Sequence, residues 1–272
     1  MRWLAGTELR ALPVGVALRL AALGNALRLH AALLVFALVC LLASALLVVA
    51  GWFMRRERRE LFSRGGISRM FRLELGFLQA AGIMRLDLSE LDALHGLPAM
   101  VIAPNHPSMI DAALLLSRLP DLGCVMKAQI LGNPLFGAGA RSAGYIAHDP
   151  ARSMLRAAVE NLRAGHHLLL FPEGTRTQQL PINPLQRSVA VIAKRAGAQV
   201  QAVHIEAGTA FLCKGWPLLR VPATPMVYRA RLGRRFEPPT DVDAFTTELE
   251  AYFRSELTGA RLPPLPVDRH SR

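Results

Sequence analysis

The chain has 272 residues, 52% of them hydrophobic, with 32 Lys and Arg against 20 Asp and Glu for a formal net charge of +12. A mean hydropathy of +0.28 is apolar for a soluble protein, and the excess sits near the N-terminus. A basic chain can serve nucleic acid, but no RNP signature, zinc-finger spacing or helix-turn-helix pattern accompanies the charge, which points instead to an anionic bilayer, where each juxtamembrane Lys or Arg contributes ~1 kcal/mol.

In chain order, residues 1–30 form an N-terminal segment whose stretch 12–27 is apolar but interrupted by Arg19, Gly24 and Asn25; it reads as an interfacial helix, with a second membrane span as the alternative. Residues 31–54 contain no charged side chain. A helix of that length reaches ~36 Å, more than the ~30 Å hydrocarbon core, and is expected to cross the membrane once. A cleaved signal peptide fits less well, because the run is long and begins far from Met1. Arg55, Arg56, Arg58 and Arg59 follow at once, with Arg64, Arg69 and Arg72 close behind, whereas Arg2, Arg10, Arg19 and Arg28 are spread before it. The denser C-terminal cluster places the main domain on the cytoplasmic side of an inner membrane. Residues 55–98 form a basic juxtamembrane region with an apolar-faced helix over 70–78, lying on the membrane or docked on a sheet, and a short edge strand at 86–88.

From residue 99 apolar runs alternate with helical patterns, which argues for an α/β domain over 99–258, a central mixed, largely parallel sheet flanked by helices. Strands are expected at 100–103, 123–128, 168–171 and 199–205, with 144–147 closing the unit that begins at 123. Residues 132–139 form a glycine-rich, membrane-compatible stretch. Ser108 is placed to cap a helix over 109–116. Helices follow at 151–164, stopped by Gly165, at 184–196, stopped by Gly197, and at 242–257. Residues 226–232 alternate apolar and basic side chains as an edge strand would. A flexible tail, Pro-rich from Leu262, covers 259–272. The cysteines Cys40, Cys124 and Cys213 suggest no disulfide framework and read as small apolar fillers.

Two turns carry chemistry. After the strand at 100–103 comes Asn105-His106-Pro107-Ser108-Met109-Ile110-Asp111. It holds an imidazole at a strand-to-helix turn, with a carboxylate about one and a half helical turns on, near enough to fix its tautomer. That is the minimum kit for a general base. The second turn, Phe171-Pro172-Glu173-Gly174-Thr175-Arg176, also ends an apolar strand. Gly174 lets the backbone approach a ligand, Arg176 offers a planar fork suited to a phosphate, and Glu173 is placed to orient that arginine or accept a hydroxyl hydrogen bond.

Together these motifs resemble the paired signatures of the glycerolipid acyltransferase family, the 1-acylglycerol-3-phosphate (lysophosphatidate) type, across roughly residues 70–240. A weaker third similarity lies in Lys127 and Gly132-Asn133-Pro134-Leu135-Phe136-Gly137. Two blocks depart from the family pattern. Pro150 stands where an arginine associated with the acceptor phosphate belongs, with Arg152 displaced, and Ala202-Val203-His204 replaces a V-P-V-like block. Both departures leave the His/Asp motif intact and bear on the acceptor. Lysophosphatidate is the first expectation, a lyso-amino-lipid or specialised lipid the alternative.

The resemblance implies transfer of a fatty acyl group from acyl-CoA or an acidic acyl-carrier protein to a lysolipid hydroxyl, with no metal and no cofactor. His106 would take the hydroxyl proton and Asp111 would hold the imidazole. Asn105 and amides at the helix start would stabilise the oxyanion. Lys127 and Arg176 would neutralise phosphates, and Glu173, Gly174 and Thr175 would line the substrate site. Rivals are weaker. Ser108 lacks the glycines of a nucleophile elbow. His148, His166, His167 and His204 lack zinc spacing. Gly137-Ala138-Gly139 is no nucleotide fingerprint. A membrane-anchored lipid-binding protein without turnover does not need His106, Asp111, Glu173 and Arg176 all intact.

Overall fold

The computed structural model describes residues 14–134, 136–217 and 220–259. Seven strands form one sheet: β1 (Met84–Asp87), β2 (Val101–Pro104), β3 (Gly123–Met126), β4 (Ile146–Ala147), β5 (Leu168–Leu169), β6 (Val200–Ala207) and β7 (Met226–Phe236). Their order is β1-β7-β6-β2-β5-β3-β4. Every neighbouring pair runs parallel except β6 and β7, so the expected mixed, largely parallel sheet is present. Strand β2 is buried throughout because helices cover both its faces, which is why it reads as an unbroken apolar run rather than an alternating one. Val101 and Ala103 pack with α6 (Ala151–Arg163), α7 (Ser188–Ala196) and α8 (Val242–Gly259). Ile102, Leu169, Val203 and Ile205 face the other layer, built from α2 (Arg56–Ala80), α3 (Asp111–Arg118) and a 3₁₀ turn (Ser89–Leu94).

Helix α1 (Val14–Gly51) is continuous over 38 residues. The interfacial helix expected over 12–27 is, from Val14 on, continuous with the apolar helix that follows, and Gly24-Asn25 does not interrupt it. A glycine costs a helix interior only ~1 kcal/mol, and Gly24 has open space around it. The segment Leu23–Gly51 is long and apolar enough to cross a membrane. One stripe of α1 (Leu29, Ala32, Cys40, Ser44, Leu47) is buried against the rest of the molecule, while Leu34, Leu42 and Leu46 are each more than 60% exposed. An apolar helix that leaves most of its surface uncovered is not a core helix. Trp52 and Phe53, 80% and 89% exposed, stand at its C-terminal end.

Several expectations need correction. The arginine cluster is itself helical, since α2 starts at Arg56. Arg64 is buried and donates to the Ala143 carbonyl and the Asn161 side chain. Strand β7 is internal, between β1 and β6. It looks like an edge because Met226, Tyr228 and Ala230 are buried on one face, while Arg229 and Arg231 on the other pair with Asp87 of β1 and Glu206 of β6. The glycine-rich stretch holds two short helices, α4 (Ala128–Leu131) and α5 (Gly137–Ser142). Gly139 sits against α1, where an added Cβ would lie 2.9 Å from Ser44 Oγ. Helix α7 begins at Ser188 because the N–H groups of Leu185 and Gln186 are taken by Glu250 and by the Pro172 carbonyl. It stops where expected, at Gly197 in the left-handed region with φ +65°. The tail from Leu262 lies outside the described residues.

Candidate functional site

Strands β6, β2 and β5 are adjacent and parallel, so the loops after their C-terminal ends converge, the usual place for a ligand in an α/β sheet. The loop after β2 carries His106. His106 Nδ1 lies 2.9 Å from Asp111 Oδ2, and the same oxygen accepts the Ser108 N–H at 2.8 Å. Asp111 is fully buried at the first turn of α3, while the His106 side chain is 16% exposed. The imidazole stacks on Phe171, with ring centroids 3.8 Å apart. Burial pushes the Asp111 carboxyl above its usual range, opposed by the hydrogen bonds from His106 and Ser108.

Helix α3 starts two residues later than expected, and Ser108 is not its cap. The Met109 N–H goes to the Leu212 carbonyl at 3.0 Å, outside any helix. The Ser108 hydroxyl donates to the Phe211 carbonyl at 2.8 Å. Asn105 also departs from its expected role. Its side chain pairs with both backbone groups of Ile205, Nδ2 to the carbonyl at 3.0 Å and Oδ1 from the N–H at 2.7 Å. It extends the β2–β6 ladder by one residue and is not free to meet an oxyanion.

The second turn closes over the first. Glu173, buried, accepts the backbone N–H of His106 and the Thr177 hydroxyl on Oε1, both at 2.8 Å, and the Asn183 N–H on Oε2 at 2.9 Å. Burial raises its carboxyl, and these donors oppose the rise. The Thr177 N–H in turn reaches the His106 carbonyl at 2.7 Å. Glu173 therefore organises the two loops rather than orienting Arg176. Gly174 has φ +66°, a conformation that strains other residues, and a Cβ there would meet Gln186 Cγ at 3.2 Å. Arg176 Nη1 donates to the Leu212 and Cys213 carbonyls at 2.8 and 3.0 Å.

A cavity of about 640 Å³ opens beside His106. Lys127, Thr175 and Arg176 line it together with His106, and it extends between α1 and α2 past Phe36, Met70, Phe71 and Leu75. Glu74 is the one acidic side chain among the described residues lining it; burial raises its carboxyl. Sequence reasoning missed Phe171 as a ring partner, Thr177 and Asn183 as donors to Glu173, and the Phe211-Leu212-Cys213 segment. Thr177 and Asn183 sit close enough to the second motif to be suspected. The last segment has no motif and joins the site only through the strand order. The altered block on β6 turns His204 to the other face, where it is buried against Tyr252 and Phe253. Among the described residues no cluster of His, Cys, Asp or Glu could hold a metal.

The central loops of the α/β sheet thus pair a histidine with a buried aspartate beside an apolar cavity walled in part by the long apolar helix α1. Residues 85–206 match the family model described as Acyltransferase. The chain is 33% identical over 92 residues to a lyso-ornithine lipid O-acyltransferase of Rhodobacter capsulatus, covering 32% of this chain and 33% of that protein. To a 1-acyl-sn-glycerol-3-phosphate acyltransferase of Helicobacter pylori it is 27% identical over 172 residues, covering 61% and 68%. The matches thus span about a third of one relative and two thirds of the other. The fold is that of the 1-acyl-sn-glycerophosphate acyltransferase PlsC of Thermotoga maritima, with a TM-score of 0.66 at 18% identity over 85% of this chain and 97% of that one.

Proposed function

We propose that this protein transfers a fatty acyl group from a thioester donor, acyl-CoA or acyl-carrier protein, to the hydroxyl of a lysophospholipid at a membrane surface. The observation that carries this reading is the 2.9 Å His106–Asp111 pair beside a long apolar cavity. With Nδ1 donating to Asp111, Nε2 keeps its lone pair and accepts the acceptor's hydroxyl proton as the oxygen attacks the thioester carbonyl. Asp111 steadies the imidazolium that forms. The thiolate then leaves, carrying the proton from His106. The cavity between α1 and α2 takes an acyl chain, and Lys127 and Arg176 at its polar end meet the anionic groups of acceptor or donor. Helix α1 crosses the inner membrane once, with the domain on the cytoplasmic face beside the arginines that follow it.

The acceptor is 1-acylglycerol-3-phosphate on the combined motifs. A lyso-amino-lipid is the second reading, supported by Pro150 in place of the phosphate-associated arginine and by the similarity to the Rhodobacter capsulatus protein. The test is purification in detergent and a panel of lysolipids with acyl-CoA and acyl-carrier donors, read by mass spectrometry. Acylation of a lysolipid is expected; no product with any acceptor and either donor would sink the reading.

A further inference from the structure

A second cleft, about 480 Å³, lies away from His106, between the start of α2, the α5–β4 segment and α6. Arg56 and Arg59 of α2 and Arg141 of α5 line it, with Glu60 as its only acidic side chain among the described residues. Glu60 is committed: it accepts from Arg56 Nε at 2.8 Å and packs on Gly144, where an added Cβ would sit 2.6 Å from Glu60 Cδ. Arg141 donates to the Leu131 carbonyl with one nitrogen. Arg59 is the unusual member. Its stem lies on Gly51, where an added Cβ would sit 2.7 Å from Arg59 Cγ, and its Nε is buried without an acceptor. An unsatisfied buried donor is costly, more so on a charged group, and such an orphan calls for a missing partner.

The position says what that partner is. The first residue lining the cleft, Arg56, follows shortly after the end of α1 at Gly51, and the exposed Trp52 and Phe53 between them in the chain are residue types that settle at a membrane–water interface. With Arg56 paired to Glu60, Arg59 and Arg141 leave the cleft with excess positive charge, the complement of an anionic headgroup. We infer that the Arg56–Arg59–Arg141 cleft binds the phosphate of an anionic membrane phospholipid, at a site separate from the acyl-transfer centre. The Arg59 fork supplies the planar donors that a phosphate matches. The assignment rests on the membrane placement of α1 proposed above, so that placement is checked first: the full-length protein must stay with membranes after a high-salt wash.

The test uses the detergent-purified full chain in mixed micelles of phosphatidylglycerol and phosphatidylcholine, with retained lipid read by native mass spectrometry. Phosphatidylglycerol is expected to be retained over phosphatidylcholine. Each of Arg59→Gln and Arg141→Gln should weaken that preference roughly fivefold. Arg58→Gln, which removes the same charge outside the cleft, should leave it intact. No preference in the wild type, or equal loss in all three variants, would overturn the site. Displacement of the lipid by millimolar inorganic phosphate or coenzyme A would assign the cleft to a soluble phosphate and overturn the lipid identification. None of these readouts depends on acyl transfer.

Discussion

Glu173 holds His106 by its peptide and not by its ring: Oε1 accepts the His106 backbone N–H at 2.8 Å. The imidazole is held independently by Asp111. One carboxylate thus fixes where the histidine is, and another fixes which way it points. Glu173→Gln should separate these roles. The amide can no longer accept on both ends, so one of its three backbone and hydroxyl donors faces an NH₂ group. A loss of about 1–3 kcal/mol in stability is expected, measured by thermal melting, together with a lower kcat. A melting temperature and rate equal to wild type would refute the clamp.

His106→Ala should abolish transfer, by on the order of 10³-fold or more, while the chain still folds. The two backbone bonds of His106, to Glu173 and from Thr177, do not involve its side chain. Asp111→Asn should lower kcat by on the order of 10⁴-fold, the loss seen when a triad aspartate is replaced and the tautomer is wrong. Substantial turnover in either variant would remove the pair from the mechanism.

Arg176→Ala should act twice. It frees the Leu212 and Cys213 carbonyls, loosening the segment that also anchors Ser108 and Met109, and it removes a cation from the cavity. The expected result is a raised KM for the acceptor with a smaller change in kcat. Arg176→Lys should recover the charge but not the paired carbonyl contacts. An unchanged acceptor KM in the alanine variant would argue against contact with an anionic headgroup.

Met70 and Leu75 line the apolar cavity on the α2 side. Met70→Trp should shorten the space available and shift the donor preference toward shorter acyl chains, read from product masses with a mixed acyl-CoA pool. An unaltered chain-length profile would place the acyl chain elsewhere.

Acid should weaken the fold through buried His204 and half-buried His167. Burial lowers the folded-state pKa of His204 and His167 below the ordinary 6.5. Their neutral forms are favoured in the folded protein, so the stability they permit is full above 6.5 and is lost as pH falls below it toward the folded values. Buried carboxyls with raised pKa, such as Asp111 and Glu173, act in the opposite sense, losing stability as pH rises above the usual carboxylate range. Comparison of His204→Gln with wild type isolates one contribution. Melting at about pH 7.5 and about pH 5.5 should show a smaller acid-induced drop in the variant.

Much of the site could be read from the chain because it rests on local geometry. His106 and Asp111 lie within one turn, and Gly174 marks a positive φ. The alternation of apolar runs and helices gave the sheet class, and Gly197 gave a helix end. What escaped depends on distant partners. Nothing near Asn105 reveals that Ile205 will saturate its amide. Nothing in the 226–232 pattern reveals that Asp87 and Glu206 will neutralise its arginines and make an interior strand look like a border. Arg64 resembled its solvated neighbours because the acceptors that let it be buried, Ala143 and Asn161, lie about 80 and 97 residues away.

Helix α1 is a wall of the apolar cavity as well as the anchor proposed above, because Phe36, Cys40 and Leu47 line the same hollow as His106. A catalytic unit cut away from that helix would be a vessel with one side missing, its oily interior open to water and prone to clump. On the proposed placement of α1, detergent or bilayer would shield the outer side of that wall.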